Sequence, residues 1–299
     1  MIDLQVRGHD RPLAVLRSVE SGSLLFVGPD GVGRRRAARW LAARLNCLNP
    51  STQSPCGRCE SCLRFAHEHP DYREISARTA TRTGRRNYRG EIVISQLVPR
   101  EDADEEPLSR WLERRPAYRR RVGVIDGADR LNQYAANSFL KMLEEPPSWA
   151  VVVLVAPSTQ AVLPTLVSRC TVVRFGAVDT GDLGFPGHPA HRLGRPGPLL
   201  DPPAQTDEAL ATVRSFVDAL GGDLESAMAA ADELAKLWSQ AQEGIDVSEL
   251  LREELRDLPE EVRVRADDLV LATFDAIASF SPAQLAVRVL LLELRALLP

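Results

Sequence analysis

Cys47, Cys56, Cys59 and Cys62 fall within sixteen residues in the pattern C-x8-C-x2-C-x2-C. Four thiolates that close together suit a tetrahedral structural zinc. Two disulfides would need an oxidising compartment, and the C-x2-C-x2-C portion also resembles the spacing of an iron–sulfur site. His67 and His69 follow closely and read as bracing residues rather than ligands. Cys170 stands apart and reads as core.

A second group lies in "LLFVGPDGVGRRRAARWLAARL" (24–45). A phosphate-cradling loop asks for Gly, four residues, then Gly-Lys-Ser/Thr, between a strand and a helix. Gly28, Gly31 and Gly33 stand in place, but Arg34 and Arg35 follow them. The Lys of such a loop reaches the outer phosphates and the hydroxyl holds Mg²⁺. Arg34 could mimic the lysine charge with a bulkier fork; Arg35 cannot ligate a metal. Asp126, at the end of "VGVID", stands where the metal-supporting carboxylate belongs, and Gly127 stands where a glutamate would activate water. Loss of the hydroxyl and the base implies no efficient hydrolysis, and the loop reads as a turn kept for packing. A third feature is Arg169 in "VLPTLVSRC" (162–170), which by itself reads as an arginine paired with a carboxylate.

The elements that must position these residues alternate. "SLLFVG" (23–28), "RVGVID" (121–126), "AVVVLVAP" (150–157) and "TVVRF" (171–175) read as buried strands, and "EIVISQLV" (91–98) is strand-like at its start. "RRRAARWLAARL" (34–45) and "NQYAANSFLKMLEE" (132–145) read as helices, the second stopped by Pro146-Pro147. Strands alternating with helices imply a parallel sheet covered on both faces. Residues 176–203 contain twelve Gly and Pro residues and read as a linker or a domain reduced to loops. From Thr206 the chain reads as helical, with Leu210, Val213, Phe216, Val217 and Leu220 on one stripe that Gly221 could close. Ser281-Pro282-Ala283-Gln284 reads as a capping box opening an unusually apolar last helix, expected to lie in a bundle or against another subunit.

With 44% hydrophobic and 26% charged residues over 299, the composition is that of a soluble globular protein of two or three domains. No apolar run approaches the roughly eighteen residues needed to span a bilayer, no secretion signal is visible, and a cytoplasmic location is expected. The net charge of −4 argues against a surface coated by nucleic acid. Two arginine-rich runs, 78–90 with five arginines and 110–121 with six, read as solvated loops, a DNA contact being the alternative. Lys141 and Lys236 are the only lysines, so an Arg in place of Lys carries little weight by itself.

"NSFLKMLEEPP" (137–147), the cysteine quartet followed by "HPDY" (69–72), and "LPTLVSRC" together resemble bacterial DNA polymerase III clamp-loader subunits of the AAA+ class. The resemblance implies an α/β AAA+ type parallel-sheet N-terminal domain over 1–175, with a zinc module inserted at about 47–72. A reduced lid region or linker over 176–205 and an all-α C-terminal collar domain over 206–299 complete it. It further implies a non-hydrolysing subunit that binds no ATP tightly, whose Arg169 acts in trans as an arginine finger at a neighbour's ATP site. The implied partners are other clamp-loader subunits (delta, gamma/tau) through the collar, the sliding clamp, and primed DNA within the assembly. The family's lid carries a phosphate-sensing residue; the lid region here is too reduced to assign that role to Arg192 or Arg195. The rival readings are an active gamma/tau-type ATPase, against which Arg35 and Gly127 count, and a freestanding zinc-containing nucleic-acid binder, against which the acidic balance counts.

Overall fold

A computed structural model describes residues 4, 6, 8–51, 54–80, 86–100, 106–180, 190, 195, 205–240, 245–278 and 281–298. The chain divides into two compact units, residues 1–179 and 180–299.

In the first unit five strands form one sheet: β1 (Gly22–Val27), β2 (Tyr72–Ser76), β5 (Arg121–Asp126), β6 (Ala150–Ala156) and β7 (Thr171–Arg174). Their spatial order is β2-β5-β6-β1-β7, and every pairing is parallel. β3 (Arg78–Ala80) and β4 (Arg86–Glu91) pair antiparallel as a separate ribbon. The central strands read as near-continuous apolar runs because both of their faces are covered. Leu24, Phe26, Val151 and Val153 enter one core with α1 (Asp10–Arg17) and α2 (Arg34–Leu45). Their neighbours Leu25, Val152 and Leu154 enter the opposite core with α5 (Leu108–Glu113) and α6 (Gln133–Glu144). From β1 the chain runs to β2 on one side, and later it crosses from β6 past β1 to β7 on the other, so the connections reverse direction at β1. Crevices at such reversals, at the carboxyl ends of the strands, are where α/β sheets hold ligands.

The sequence expectation held for the four apolar strands and both helices of this unit. It missed β2, whose residues Tyr-Arg-Glu-Ile-Ser do not read as a strand because β2 is an edge strand with polar side chains half-exposed. In "EIVISQLV" only Glu91 belongs to β4. Ile92 makes an isolated bridge to Leu131, and Ile94–Leu97 is a helical turn, α4, whose Gln96 side chain accepts from the Val93 N–H. A short helix α3 (Glu60–Arg64) lies among the cysteines, and α7 (Pro164–Val167) precedes the Arg169 turn.

The second unit is helical: α8 (Thr206–Ala219), α9 (Leu224–Gln240), α10 (Val247–Glu254), α11 (Glu260–Ala278) and α12 (Ala283–Leu297) share one apolar core. Leu210, Val213, Phe216 and Leu220 are buried there, as the stripe requires. Two cap assignments need correction. α8 ends on Leu220 as its C-cap in right-handed conformation, so no left-handed Gly221 closes it. α12 has Pro282 rather than Ser281 as its N-cap, and a proline side chain has no acceptor for a cap bond, so the expected capping box is not formed. Most of the 176–205 stretch lies outside the described residues. No described helix is long and apolar enough to cross a membrane.

Candidate functional site

The loop after β1 has the backbone of a phosphate cradle. Gly28, Gly31 and Gly33 take φ of 154°, 75° and 104°, and Gly33 is the left-handed N-cap of α2. A Cβ at Gly28 would fall 2.2 Å from the Phe175 carbonyl oxygen, so the close passage of β7 also demands glycine there.

The side chains that follow face the chain itself. Arg34 is buried, and its guanidinium donates to the Ala156 carbonyl at the end of β6 and to Asp30 within the loop. Arg35 forks between two strands: Nη2 lies 2.5 Å from Glu74 Oε1 on β2, and Nε 3.2 Å from Asp126 Oδ2 on β5. The Tyr72 hydroxyl donates to Glu74 Oε2 at 2.7 Å. Burial pushes the Asp126 carboxyl above the usual carboxylate range, and Arg35 opposes that shift. A guanidinium thus faces the carboxylate that a metal-binding hydroxyl would accompany in a working phosphate loop. Gly127 takes φ of 89°, a conformation a glutamate would adopt only with strain. Glu74 and Asp30 were not singled out from sequence. Glu74 sits on the unrecognised edge strand, and Asp30 carries no motif beyond its place in the loop.

The four cysteine sulfurs lie within 4.8 Å of one another. A tetrahedral zinc with bonds of about 2.3 Å would bring them to about 3.8 Å apart, so the donor set fits such an ion after a small contraction. Backbone N–H groups already point at sulfur: Cys59 N–H donates to Cys56 Sγ at 3.4 Å, and Cys62 N–H to Cys59 Sγ at 3.5 Å, which makes Cys59 the N-cap of α3. The Arg58 backbone N–H contributes most to bringing the Cys56 thiol down to about 6, while burial raises that of Cys62.

His69 is not a fifth donor. It accepts from the Asp71 N–H at Nδ1 (3.1 Å), which leaves Nε2 to donate to Ser61 Oγ (3.0 Å), and it stacks on Phe65 at 4.2 Å. Burial lowers its pKa to about 4. Asp71, fully buried, accepts the backbone N–H groups of Ala117 and Tyr118 at 2.8 and 2.7 Å. Asn46 does the same for Arg119 and Arg120 at 3.0 and 2.9 Å. "HPDY" is therefore a clamp joining the cysteine module to the loop before β5.

That loop carries the 110–121 arginine run, which is largely engaged within the chain. Arg114 pairs with Glu106 at 2.6 Å, and Arg115 and Arg121 lie 4.5 Å from the ring centres of Trp149 and Trp111. The 78–90 run forms β3 and β4 at its ends, with residues 81–85 outside the described set. Cys170 is only half-buried, and the apolar surroundings push its thiol up to about 12. Arg192 lies outside the described residues; Arg195 pairs with Glu249 at 2.6 Å within the helical unit.

Arg169 occupies the turn between α7 and β7. Its Nε donates to Glu144 Oε1 at 2.5 Å, and its Nη1 to Thr165 O at 2.9 Å and Ser168 Oγ at 3.2 Å. The carboxylate partner expected from chemistry alone is present.

Comparison with known proteins places this geometry in context. A family model described as DNA polymerase III, delta subunit matches residues 18–179. The chain is 30% identical over 155 residues to DNA polymerase III subunit delta' of Pseudomonas aeruginosa, covering 52% of this chain and 43% of that protein. It is 32% identical over 151 residues to subunit delta' of Haemophilus influenzae, covering 50% and 41%. With subunit tau/gamma of H. influenzae it shares 31% over 198 residues, covering 66% and 26%. The chain thus spans less than half the length of these relatives.

Proposed function

The chain belongs to the family of DNA polymerase III delta-prime clamp-loader subunits, and from that premise we propose that it is a non-hydrolysing member of a clamp loader. In this role it helps to place the sliding clamp on primed DNA during replication in the cytoplasm. It contacts delta and gamma/tau subunits through its helical unit, and Arg169 reaches the ATP site of a neighbour. The observation that carries the reading is the fate of the two arginines after the glycine loop. Arg34 is spent on Asp30 and a strand carbonyl, and Arg35 on Glu74 and Asp126. Both cations are engaged within the chain, and Arg35 stands where the loop hydroxyl that holds Mg²⁺ would be. The glycine loop is kept for its packing against β7. Cys47, Cys56, Cys59 and Cys62 hold one structural zinc, which leaves no open coordination position for catalysis.

The test has two arms. Calorimetric titration of the isolated chain with Mg-ATP should give no micromolar binding, and such affinity would contradict the retired pocket. A loader reconstituted with Arg169→Ala should assemble yet lose clamp-stimulated ATPase. Trans-acting arginines elsewhere are worth roughly 10³–10⁵ in rate, and the loss here should be smaller because other interfaces keep their own fingers. An unchanged rate would reduce Arg169 to a structural arginine.

A further inference from the structure

"NSFLKMLEEPP" and "LPTLVSRC" are separate in sequence, but they meet at one ion pair. Glu144 closes α6, and Arg169 follows α7. The two helices pack through Phe139, Leu143 and Leu166, all buried in one core. A guanidinium offers five N–H donors in one plane. Glu144 Oε1 takes the Nε donor at 2.5 Å, and Thr165 O and Ser168 Oγ take Nη1 at 2.9 and 3.2 Å. Among the described residues Nε and Nη1 are engaged, and no partner of Nη2 is found.

We propose that Glu144 is a positioning residue for Arg169, fixing the guanidinium through Nε so that Nη2 is presented to the phosphates of a nucleotide held by a neighbouring subunit. The proposal rests on the reading of Arg169 as a trans-acting finger. A free arginine side chain has many rotamers, and ordering it at each encounter costs conformational entropy. Donors fixed in advance where charge develops avoid that reorganisation. Three acceptors from three different residues, one closing α6, one on α7 and one at its C-cap, supply the fixing here. The ion pair is partly exposed, with side-chain accessibilities of 32% and 47%. Such pairs are individually modest, so removing Glu144 should slow the neighbour's turnover without abolishing it.

The loader is reconstituted with the wild-type subunit, Glu144→Ala, Glu144→Gln, Arg169→Ala and the double variant Glu144→Ala/Arg169→Ala, and kcat and KM for ATP are measured with clamp and primed DNA. Glu144→Ala should lower kcat roughly three- to five-fold, the ceiling for an exposed pair, with KM unchanged. Glu144→Gln keeps an oxygen acceptor for Nε and should recover most of the rate. The double variant should be no slower than Arg169→Ala, because Glu144 acts only through that arginine. A Glu144→Ala rate equal to or above wild type, a Gln variant as slow as Ala, or additive losses in the double variant would overturn the proposal. If Arg169→Ala itself leaves the rate unchanged, the finger reading fails, and this proposal with it. If Arg169→Ala is slow and Glu144→Ala is not, the positioning role alone is wrong.

Discussion

His69 shows how a residue next to a metal-type cluster can be structural. Both ring nitrogens are used, one by the Asp71 N–H and one by Ser61 Oγ, and the ring is buried against Phe65. The folded chain therefore holds His69 neutral, with a pKa near 4 against the ordinary 6.5. A depressed histidine pKa means that the unfolded chain takes up the proton first as pH falls. The stability it confers is complete above pH 6.5, declines between 6.5 and 4, and levels off below 4. The decline should amount to about 2 kcal/mol, at 1.36 kcal/mol per pKa unit reduced for incomplete burial. Denaturant unfolding of wild type and His69→Gln at pH 7 and pH 5 isolates it: the gap between the two proteins should narrow as pH falls. A gap independent of pH would remove His69 from the pH response.

At the scale of elements, Cys59 serves two purposes, as a sulfur of the quartet and as the N-cap of α3. Serine is itself a favoured N-cap, so Cys59→Ser keeps the cap and removes one thiolate. Elemental analysis should find one zinc per wild-type chain and a marked loss in the variant. Hydrogen exchange should rise over 47–65 while the sheet stays protected. Iron, or zinc unchanged by the substitution, would overturn the assignment.

The strands that frame this module were legible where they are buried on both faces: "LLFV", "VGVI" and "VVVLVA" cannot be solvent-facing. α6 was legible from its composition and from Pro146-Pro147 beyond its end; Asn132, read as part of the helix, is its N-cap and accepts from the Ala135 N–H. β2 was not, because an edge strand needs no apolar run. Glu74 was lost with it, since its value lies in a register beside Asp126 that only the sheet supplies: Ser76 pairs with Asp126, and Glu74 lies two residues earlier on the same face. The cysteine cluster was legible because thiols close in sequence are easily brought close in space; the Glu144–Arg169 pair, 25 residues apart, was not.

At the scale of the molecule, the helical unit is folded around one core and still leaves apolar surface uncovered. On α12, Val287, Leu290, Leu291 and Leu294 are buried, while Leu285, Val289 and Leu292 are exposed at i, i+4 and i+7. On the adjoining α11, Val264 and Leu271 are exposed seven residues apart, hence on one face. Helical spacing gathers each set into a stripe, and stripes of large apolar side chains mark surfaces that other chains cover. On the proposed function, neighbouring loader subunits cover them. Substitution of exposed residues away from the core changes stability by only about 0.5 kcal/mol, so Leu285→Asp/Leu292→Asp should fold with an unchanged circular dichroism spectrum. Its defect should appear only in company: mixed with delta and gamma/tau partners, the variant should stay at its own mass by light scattering while wild type moves into the complex. A variant that assembles like wild type would show that the stripe on α12 is not the contact, leaving the α11 face, tested in the same way by Leu271→Asp, as the remaining apolar surface of the pair.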